Sequence, residues 1–438
     1  MQRLPEKFIE NMKKQLPQTE WEAFFAVYSK KPHKGIRVNA LKCPSEVFEK
    51  ITPFPLTPVP WAENRYKVEA EKTGAHPYHF AGLYYSQEPS AMCAAPLLEA
   101  KSGERVLDLC AAPGGKSTQL AASMDGEGIL IVNEPVLSRA QILSSNIERM
   151  GVRNALVLSE YPEKLNGYFA GYFDKILVDA PCSGEGMFRK NAEEALGEWS
   201  EENVALCAER QRLILEEATK MLRAGGRLVY STCTFSEAED EGQVCDYLKN
   251  HPEMKLKKTE KLYPHKVAGE GHFAAVFEKQ TWAETQACRV KPLRPRISNE
   301  SEKLYRGFEK SFFNAPLKGE LHEAGGILYL LPQGAPDWKG LRILRAGVRL
   351  GEVKNGRFEP SHSLAMCVKG EACNNLLSLP LSDLRTDKFL RGETIEVSEN
   401  ELQNGWCLVA VDGYPIGLGK AVNGTVKNHI PKALRRSL

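Results

Sequence analysis

The chain has 438 residues, of which 42% are hydrophobic and 26% charged, with a formal net charge of +2. That length exceeds one ordinary domain, and the near-neutral balance excludes a uniformly basic nucleic-acid binder, so phosphate contacts must come from local patches. Eleven cysteines and nine histidines form no Cys-x-x-Cys pair and no histidine cluster, which speaks against a disulfide framework and a metal site.

Residues Pro5 to Tyr28 read as helical, because Phe8, Ile9, Met12 and Leu16, then Trp21, Phe24, Phe25 and Tyr28, recur at helical spacing. Residues 1–50 hold ten Lys/Arg against six Asp/Glu, with Lys30, Lys31, Lys34, Arg37 and Lys42 just after the helix. These charges fit either a solvated face or a patch that meets phosphates. The segment from Arg37 to Lys42 alternates like a strand, and Pro53 to Pro60 is a connector. Residues 81–92 lead into a helix that reaches the strand at Val106.

From Val106 strands and helices alternate, which predicts an open, mostly parallel α/β sheet. The predicted strands are Val106–Leu109, Gly128–Asn133, Ala155–Leu158, Phe173–Asp179 and Arg227–Thr232, with a closing strand from His272 to Phe277. The predicted helices are Lys116–Met124, Leu137–Met150 ended by Gly151, and Ser200–Leu222 stopped by Gly225-Gly226. Ser236 and Glu239 read as a capping box for the next helix. Lys291-Pro292-Leu293-Arg294-Pro295-Arg296 reads as a linker. Residues 300–375 then suggest a small mixed segment, with Gly326–Leu331 and Leu341–Leu350 as paired strands. Short Gly-punctuated strands from Leu384 onward (Thr394–Val397, Gly405–Val411, Pro415–Gly419) suggest a small β-barrel module. Residues 413–438 carry Lys420, Lys427, Lys432, Arg435 and Arg436 with no acid, which suits either solubility or phosphate contact. The expected division is 1–95, 96–282, 283–383 and 384–438. No apolar leader or membrane-length run is seen, so a cytoplasmic monomer free of membrane and metal is expected.

The turn Cys110-Ala111-Ala112-Pro113-Gly114-Gly115-Lys116 joins a buried strand to a helix N-terminus, which is the build of a nucleotide-type site. A phosphate-binding P-loop needs glycine where Cys110 stands, and the dinucleotide pattern needs a Gly-x-Gly that is missing. What remains is the first turn of an S-adenosylmethionine (SAM) methyltransferase, or a structural strand-to-helix turn. Ligand sites of open sheets lie at the carboxyl ends of strands. Glu134 ends the second strand, where a carboxylate can accept from ribose hydroxyls. Asp179-Ala180-Pro181-Cys182-Ser183-Gly184 ends the fourth, and Ser231-Thr232-Cys233-Thr234 ends the fifth.

Free cysteines are commonly inert core residues, yet two at neighbouring strand ends also suit covalent chemistry. A pyrimidine C5 is too weak a nucleophile to take a methyl group unaided. A thiolate added at C6 makes C5 enamine-like. That scheme needs a nucleophile, a base and an acid near the ring N3 edge, for which Cys233, Cys182 and Asp179 are candidates.

These three motifs resemble the Nol/Nop/Sun family of RNA cytosine-5 methyltransferases. Arg37-Val38-Asn39 and Gln87-Glu88-Pro89-Ser90-Ala91-Met92 resemble that family's upstream motifs. The stretch from Asn404-Gly405-Trp406-Cys407 to Arg435-Arg436 resembles the PUA-like RNA-binding module of one bacterial branch. The resemblance implies a Rossmann-like SAM methyltransferase core with an N-terminal α+β RNA-binding region and a C-terminal β-rich PUA-like domain. It implies Cys233 as nucleophile and Cys182 in product release. Cys110 to Lys116, Glu134, Arg139 and Asp179 would face SAM, with Asp179 also facing the base. RNA contacts are expected from Lys34, Arg37, Asn39, Lys420, Lys427, Lys432, Arg435 and Arg436, with ribosomal RNA of the small subunit favoured and tRNA the alternative. The rival readings are a DNA cytosine-5 methyltransferase that attacks through Cys182, and a ribosome-assembly factor without catalysis. Two departures from the family stand out. Ser159-Glu160-Tyr161 replaces an adenine-contacting acid, leaving Glu160 as the acid at hand, and Glu239-Asp240-Glu241 replaces Glu-Asn-Glu.

Overall fold

The computed structural model describes residues 4–60, 64–70, 72–283, 288–398 and 400–436. At its centre lies an eight-stranded sheet in the spatial order Met254–Leu262, His272–Lys279, Leu222–Thr232, Phe173–Asp179, Arg105–Asp108, Ile129–Asn133, Ala155–Leu158, Ile343–Ala346. The five strands from Leu222–Thr232 to Ala155–Leu158 are parallel. The three outer strands are antiparallel. The period-two alternation of strands divides the apolar runs between two cores. Val106, Leu130, Leu177 and Val229 pack on one face with Leu120, Leu143 and Ile147. Leu107, Ile131, Ile176 and Tyr230 pack on the other with Leu165, Phe169 and Leu215. Burying each such side chain contributes about 1.5–3 kcal/mol, which makes this double-faced sheet the rigid platform for the strand ends.

The predicted strands of this sheet form, with informative differences. The long helix runs Glu201–Met221, and the Ser200 hydroxyl caps it by accepting the Asn203 N–H at 3.1 Å. It ends before Gly225-Gly226, because Leu222 already pairs with Phe173. The two glycines form a bulge before Arg227 pairs with Lys175. The Ser236–Glu239 capping box does not form. The following helix starts at Glu241 with Asp240 as N-cap, and the Glu239 carboxylate is drawn into the loop after the fourth strand. Leu341–Leu350 is two strands rather than one. Ile343–Ala346 adds to the central sheet beside Ala155–Leu158, whereas Val348–Lys354 turns away at Gly347 (φ +56°) to pair with Ile327–Leu331.

The N-terminal segment is two α-helices, Glu6–Gln15 and Trp21–Ala26, because Pro17 removes a donor between them. Phe8, Met12 and Phe24 pack against Phe188 and Phe235, residues that follow the two cysteine-bearing strand ends. The strand near Arg37 is Gly35–Val38, in a four-stranded sheet. Its core is shared with the C-terminal module: Ile36, Phe48 and Tyr84 lie in one cluster with Phe389, Val409 and Val426. The Tyr78 hydroxyl donates to Asp412 at 2.7 Å across this boundary. The module is a five-stranded sheet whose first strand, Leu376–Leu379, lies ahead of Leu384 and runs parallel to Gly405–Val411. Among the described residues no helix is long and apolar enough to cross a membrane.

Candidate active site

The Gly-rich turn links the central strand Arg105–Asp108 to the helix Gly115–Ser123. Gly114 sits at φ +109°, left-handed backbone that glycine adopts without strain. Gly115 is closely packed, since a Cβ there would lie 3.1 Å from Gln87 Nε2 and 3.3 Å from Tyr85. The Gln87–Met92 motif therefore buttresses the turn. Within that motif the buried Glu88 carboxylate accepts the N–H groups of Ser90 and Ala91, and of Glu270 across the site, each at 2.8 Å. Asp108 accepts the Ser117 hydroxyl at 2.7 Å, while its buried Oδ1 has no partner. Burial pushes its carboxyl up to about 7.

Glu134, 3% exposed, accepts the Val136 N–H at 3.0 Å and lies 3.4 Å from Arg139 Nη1. Arg139 also reaches the Ala112 carbonyl at 3.3 Å, tying this carboxylate to the turn. Asn133 stitches the strand ends by donating to the carbonyls of Leu109 and Glu160 at 3.2 and 2.9 Å. Two acidic side chains with spare lone pairs, beside a helix N-terminus, fit a ligand that carries hydroxyls and an ammonium group, as SAM does. Glu160 is engaged elsewhere. It accepts from Lys164 at 2.8 Å and from the Arg342 N–H at 2.6 Å, which pins the added strand to the sheet.

Lys116 points from the turn to Asp179, with Nζ 2.7 Å from Oδ2. Asp179 also accepts the Ser231 hydroxyl at 2.8 Å. Burial works against the charge on both members of this pair, but their attraction outweighs it. The Lys116 ammonium is held above its ordinary range, and the Asp179 carboxyl below its own. At neutral pH Asp179 is therefore a carboxylate, an acceptor at this edge of the cleft rather than a proton donor. His272, whose Nε2 lies 3.8 Å from Asp179 Oδ1, is a site residue that the sequence pattern did not single out. Burial pushes its imidazole down to about 3, so it is neutral.

The two cysteines meet. Cys182 Sγ lies 3.3 Å from Cys233 Sγ and also accepts the Cys233 N–H at 3.4 Å. This contact follows from the register that sets Asp179 opposite Ser231. The sulfur of Cys233 and then burial push the Cys182 thiol well up, and either sulfur can be the donor in their contact. The Lys116 ammonium is close enough to Cys233 to interact with it electrostatically.

The residues expected to face RNA divide. Arg37 is 3% and Asn39 1% exposed. Arg37 donates to the Gly115 carbonyl at 2.9 Å and the Thr118 hydroxyl at 2.6 Å. Asn39 donates to the Gly82 and Met150 carbonyls at 2.9 and 2.8 Å. Both clamp the N-terminal region onto the core, so they are not available to phosphates. Arg435 donates to Ile430, and Arg436 pairs with Asp387 at 2.5 Å, which makes these two largely structural. Lys34, Lys420, Lys427 and Lys432 are exposed. Lys420 is flanked across the strands by Trp406 and Lys427. Its ammonium lies 5.6 Å from the Trp406 ring, and His429 packs edge-on against that ring at 4.5 Å.

Comparison with known proteins agrees with this geometry. Residues 95–284 match the model of the 16S rRNA methyltransferase RsmB/F family. Residues 4–89, 307–368 and 376–436 match the RsmF N-terminal domain, first C-terminal domain and PUA domain. The chain is 32% identical to the ribosomal RNA small subunit methyltransferase F of Vibrio cholerae, covering 99% of this chain and 98% of that one. It is 33% identical to the protein of the same name from Psychromonas ingrahamii, with the same coverage. Among solved structures, a methyltransferase homologue from Pyrococcus horikoshii matches at TM-score 0.57 and 27% identity, covering 63% of this chain and 95% of that one. The NSun6 structure with SFG from the same organism shares the fold at TM-score 0.57 and 22% identity, covering 63% of this chain and 98% of that one. The chain belongs to the RsmB/F rRNA methyltransferase family, in its RsmF branch.

Proposed function

We propose that this protein methylates C5 of a cytosine in small-subunit ribosomal RNA, with Cys233 as nucleophile and Cys182 as the group that releases the product. The observation that carries this reading is the 3.3 Å approach of the two sulfurs at adjacent strand ends. SAM is the cofactor; Glu134, Asp108 and the turn from Cys110 to Lys116 would hold it. When bound it supplies an electrophilic methyl group.

The Cys233 thiolate adds to C6, and C5 becomes enamine-like. The Asp179 carboxylate accepts a hydrogen bond from the exocyclic amine, and N3 takes a proton from solvent on addition and returns it to solvent on elimination. With Cys233 bonded to carbon, the Cys182 thiol gives its proton to solvent. The Cys182 thiolate takes the C5 proton, the C5–C6 double bond re-forms, and Cys233 leaves as thiolate. The cysteine pair returns to its starting state with one proton released overall.

The DNA-methyltransferase-like alternative uses Cys182 as nucleophile. The resemblance carried by Ser231-Thr232-Cys233-Thr234 supports Cys233 instead, as does the match of residues 95–284 to an rRNA methyltransferase family. Exposed Lys420 and Lys427 beside Trp406 provide cations and a ring for RNA phosphates and bases. Bisulfite sequencing of small-subunit RNA from a strain lacking the gene tests the reading. One protected cytosine or more should be lost, and then restored by the wild-type gene but not by Cys233→Ala. An unchanged pattern of protected cytosines would contradict it.

A further inference from the structure

We propose that Glu239 and Gln211 are positioning residues that aim Cys182 for the release step; this rests on the roles just given to the two cysteines. Gln211, in the long helix and fully buried, donates through Nε2 to the Pro181 carbonyl at 3.0 Å and to Glu239 Oε2 at 2.9 Å. The same carboxylate oxygen accepts the Ser183 N–H at 2.9 Å, and the other oxygen accepts the Ser183 hydroxyl. The residues immediately before and after Cys182 are thus fastened to one Gln–Glu unit.

The loop bearing Cys233 has further ties, to the far end of the Cys182 loop and to Asp240. The Gly186 N–H donates to the Cys233 carbonyl at 2.9 Å. The Phe235 N–H donates to Glu185 Oε2 at 3.0 Å, and the Thr232 hydroxyl to Asp240 Oδ1 at 2.6 Å. This loop meets the Gln–Glu unit through Thr234, whose hydroxyl lies 2.9 Å from that of Ser183 and also bonds the Glu239 carboxylate. Loosening Glu239 or Gln211 therefore acts on Cys182 from both sides, whereas Cys233 keeps the bonds of its carbonyl, of Phe235 and of Thr232. This use of the side chain also explains why Glu239 gives up the helix cap that its spacing from Ser236 predicts.

The chemical consequence is selective. Addition of Cys233 to C6 and methyl uptake at C5 need no aimed Cys182. Release does: the C5–H electron pair becomes the C5–C6 double bond, the proton goes to Cys182, and the C6–S pair returns to Cys233. With Cys182 displaced, the protein stays bonded to methylated RNA.

The test incubates full-length wild type, Glu239→Ala, Glu239→Gln, Gln211→Leu, Cys182→Ala and Cys233→Ala with SAM and small ribosomal subunits from a strain lacking the gene. Denaturing gels read the RNA-linked band, and turnover and the KM for SAM are measured alongside. Glu239→Ala and Gln211→Leu should accumulate the band as Cys182→Ala does. Their turnover should fall roughly tenfold, with the KM for SAM changed by less than about twofold. Glu239→Gln keeps an acceptor for Ser183 and should recover part of the turnover. If Glu239→Ala does not fold, Gln211→Leu, which keeps most of the side-chain volume, decides the matter. Wild-type turnover in a folded variant, or loss of both turnover and band, would overturn the proposal. A band in Cys182→Ala but in neither positioning variant would overturn it alone. No band in Cys182→Ala would overturn the roles of the cysteines themselves, and this proposal with them.

Discussion

Lys116 Nζ lies 2.7 Å from Asp179 Oδ2, so a buried cation from the Gly-rich turn is neutralised by the carboxylate that ends the neighbouring strand. Removing one partner strands the other charge, at a cost of about 3–5 kcal/mol. Asp179→Leu should lower stability in urea unfolding by that order, and the double variant Lys116→Met with Asp179→Leu should recover much of it while remaining inactive. A single-variant loss below about 1 kcal/mol would mean that the pair is effectively solvated.

Glu134→Gln should weaken SAM binding roughly tenfold or more in calorimetry, because a charge-assisted acceptor contributes about 1.5–3 kcal/mol. Gly114 is a poorer probe. At φ +109° any side chain is strained, and its Cβ would meet Leu143 at 3.1 Å, so lost affinity there would mix with lost folding. Unchanged affinity in Glu134→Gln would remove this residue from the cofactor site.

Lys420→Ser with Lys427→Ser should weaken RNA binding and make its salt dependence shallower, by about 0.7 in slope for each phosphate left without its lysine. Truncating the module at Lys388 would instead cut the shared core that joins Phe48 and Tyr84 to Val409 and Val426. Arg37→Ala is the contrasting case. It should cost about 3 kcal/mol of stability through its buried bonds to Gly115 and Thr118, and leave the salt slope unchanged. A lowered salt slope in folded Arg37→Ala would return it to the RNA surface.

Asp108 gives a pH dependence of definite sign. Its carboxyl is pushed up to about 7 in the folded protein, against about 3.9 unfolded. The folded state then binds more protons between those values, so this group makes stability fall as pH rises from about 4 to 7. Asp108→Asn removes that component. Relative to wild type, the variant should gain on the order of 2–4 kcal/mol between pH 5 and 8 in parallel urea titrations. Equal pH slopes would show that Asp108 is ionised throughout.

Much of this site was legible in the sequence because local chemistry and strand ends coincide. The turn at Gly114-Gly115, the pair Cys182 and Cys233, and Glu134 all sit where a parallel sheet presents ligands. The residues whose roles the pattern hides act over long sequence separations. Arg37 and Asn39 carry the polarity of a surface patch, yet close onto Thr118 and Met150, partners that no local pattern reveals. Glu239 has capping-box spacing from Ser236, but Ser183 and Gln211 compete for its carboxylate and win, since buried donors without it would go unsatisfied. The break of Leu341–Leu350 at Gly347 depends on a free sheet edge at Ala155–Leu158, which is a tertiary fact.

The covalent intermediate tests the central claim most directly. Each cysteine variant is incubated with SAM and substrate RNA and run on a denaturing gel. Cys182→Ala should give a nuclease-sensitive shifted band, because addition at C6 proceeds and release stalls. Cys233→Ala should give none. A band that persists in Cys233→Ala and is lost in Cys182→Ala would contradict the assignment of the nucleophile.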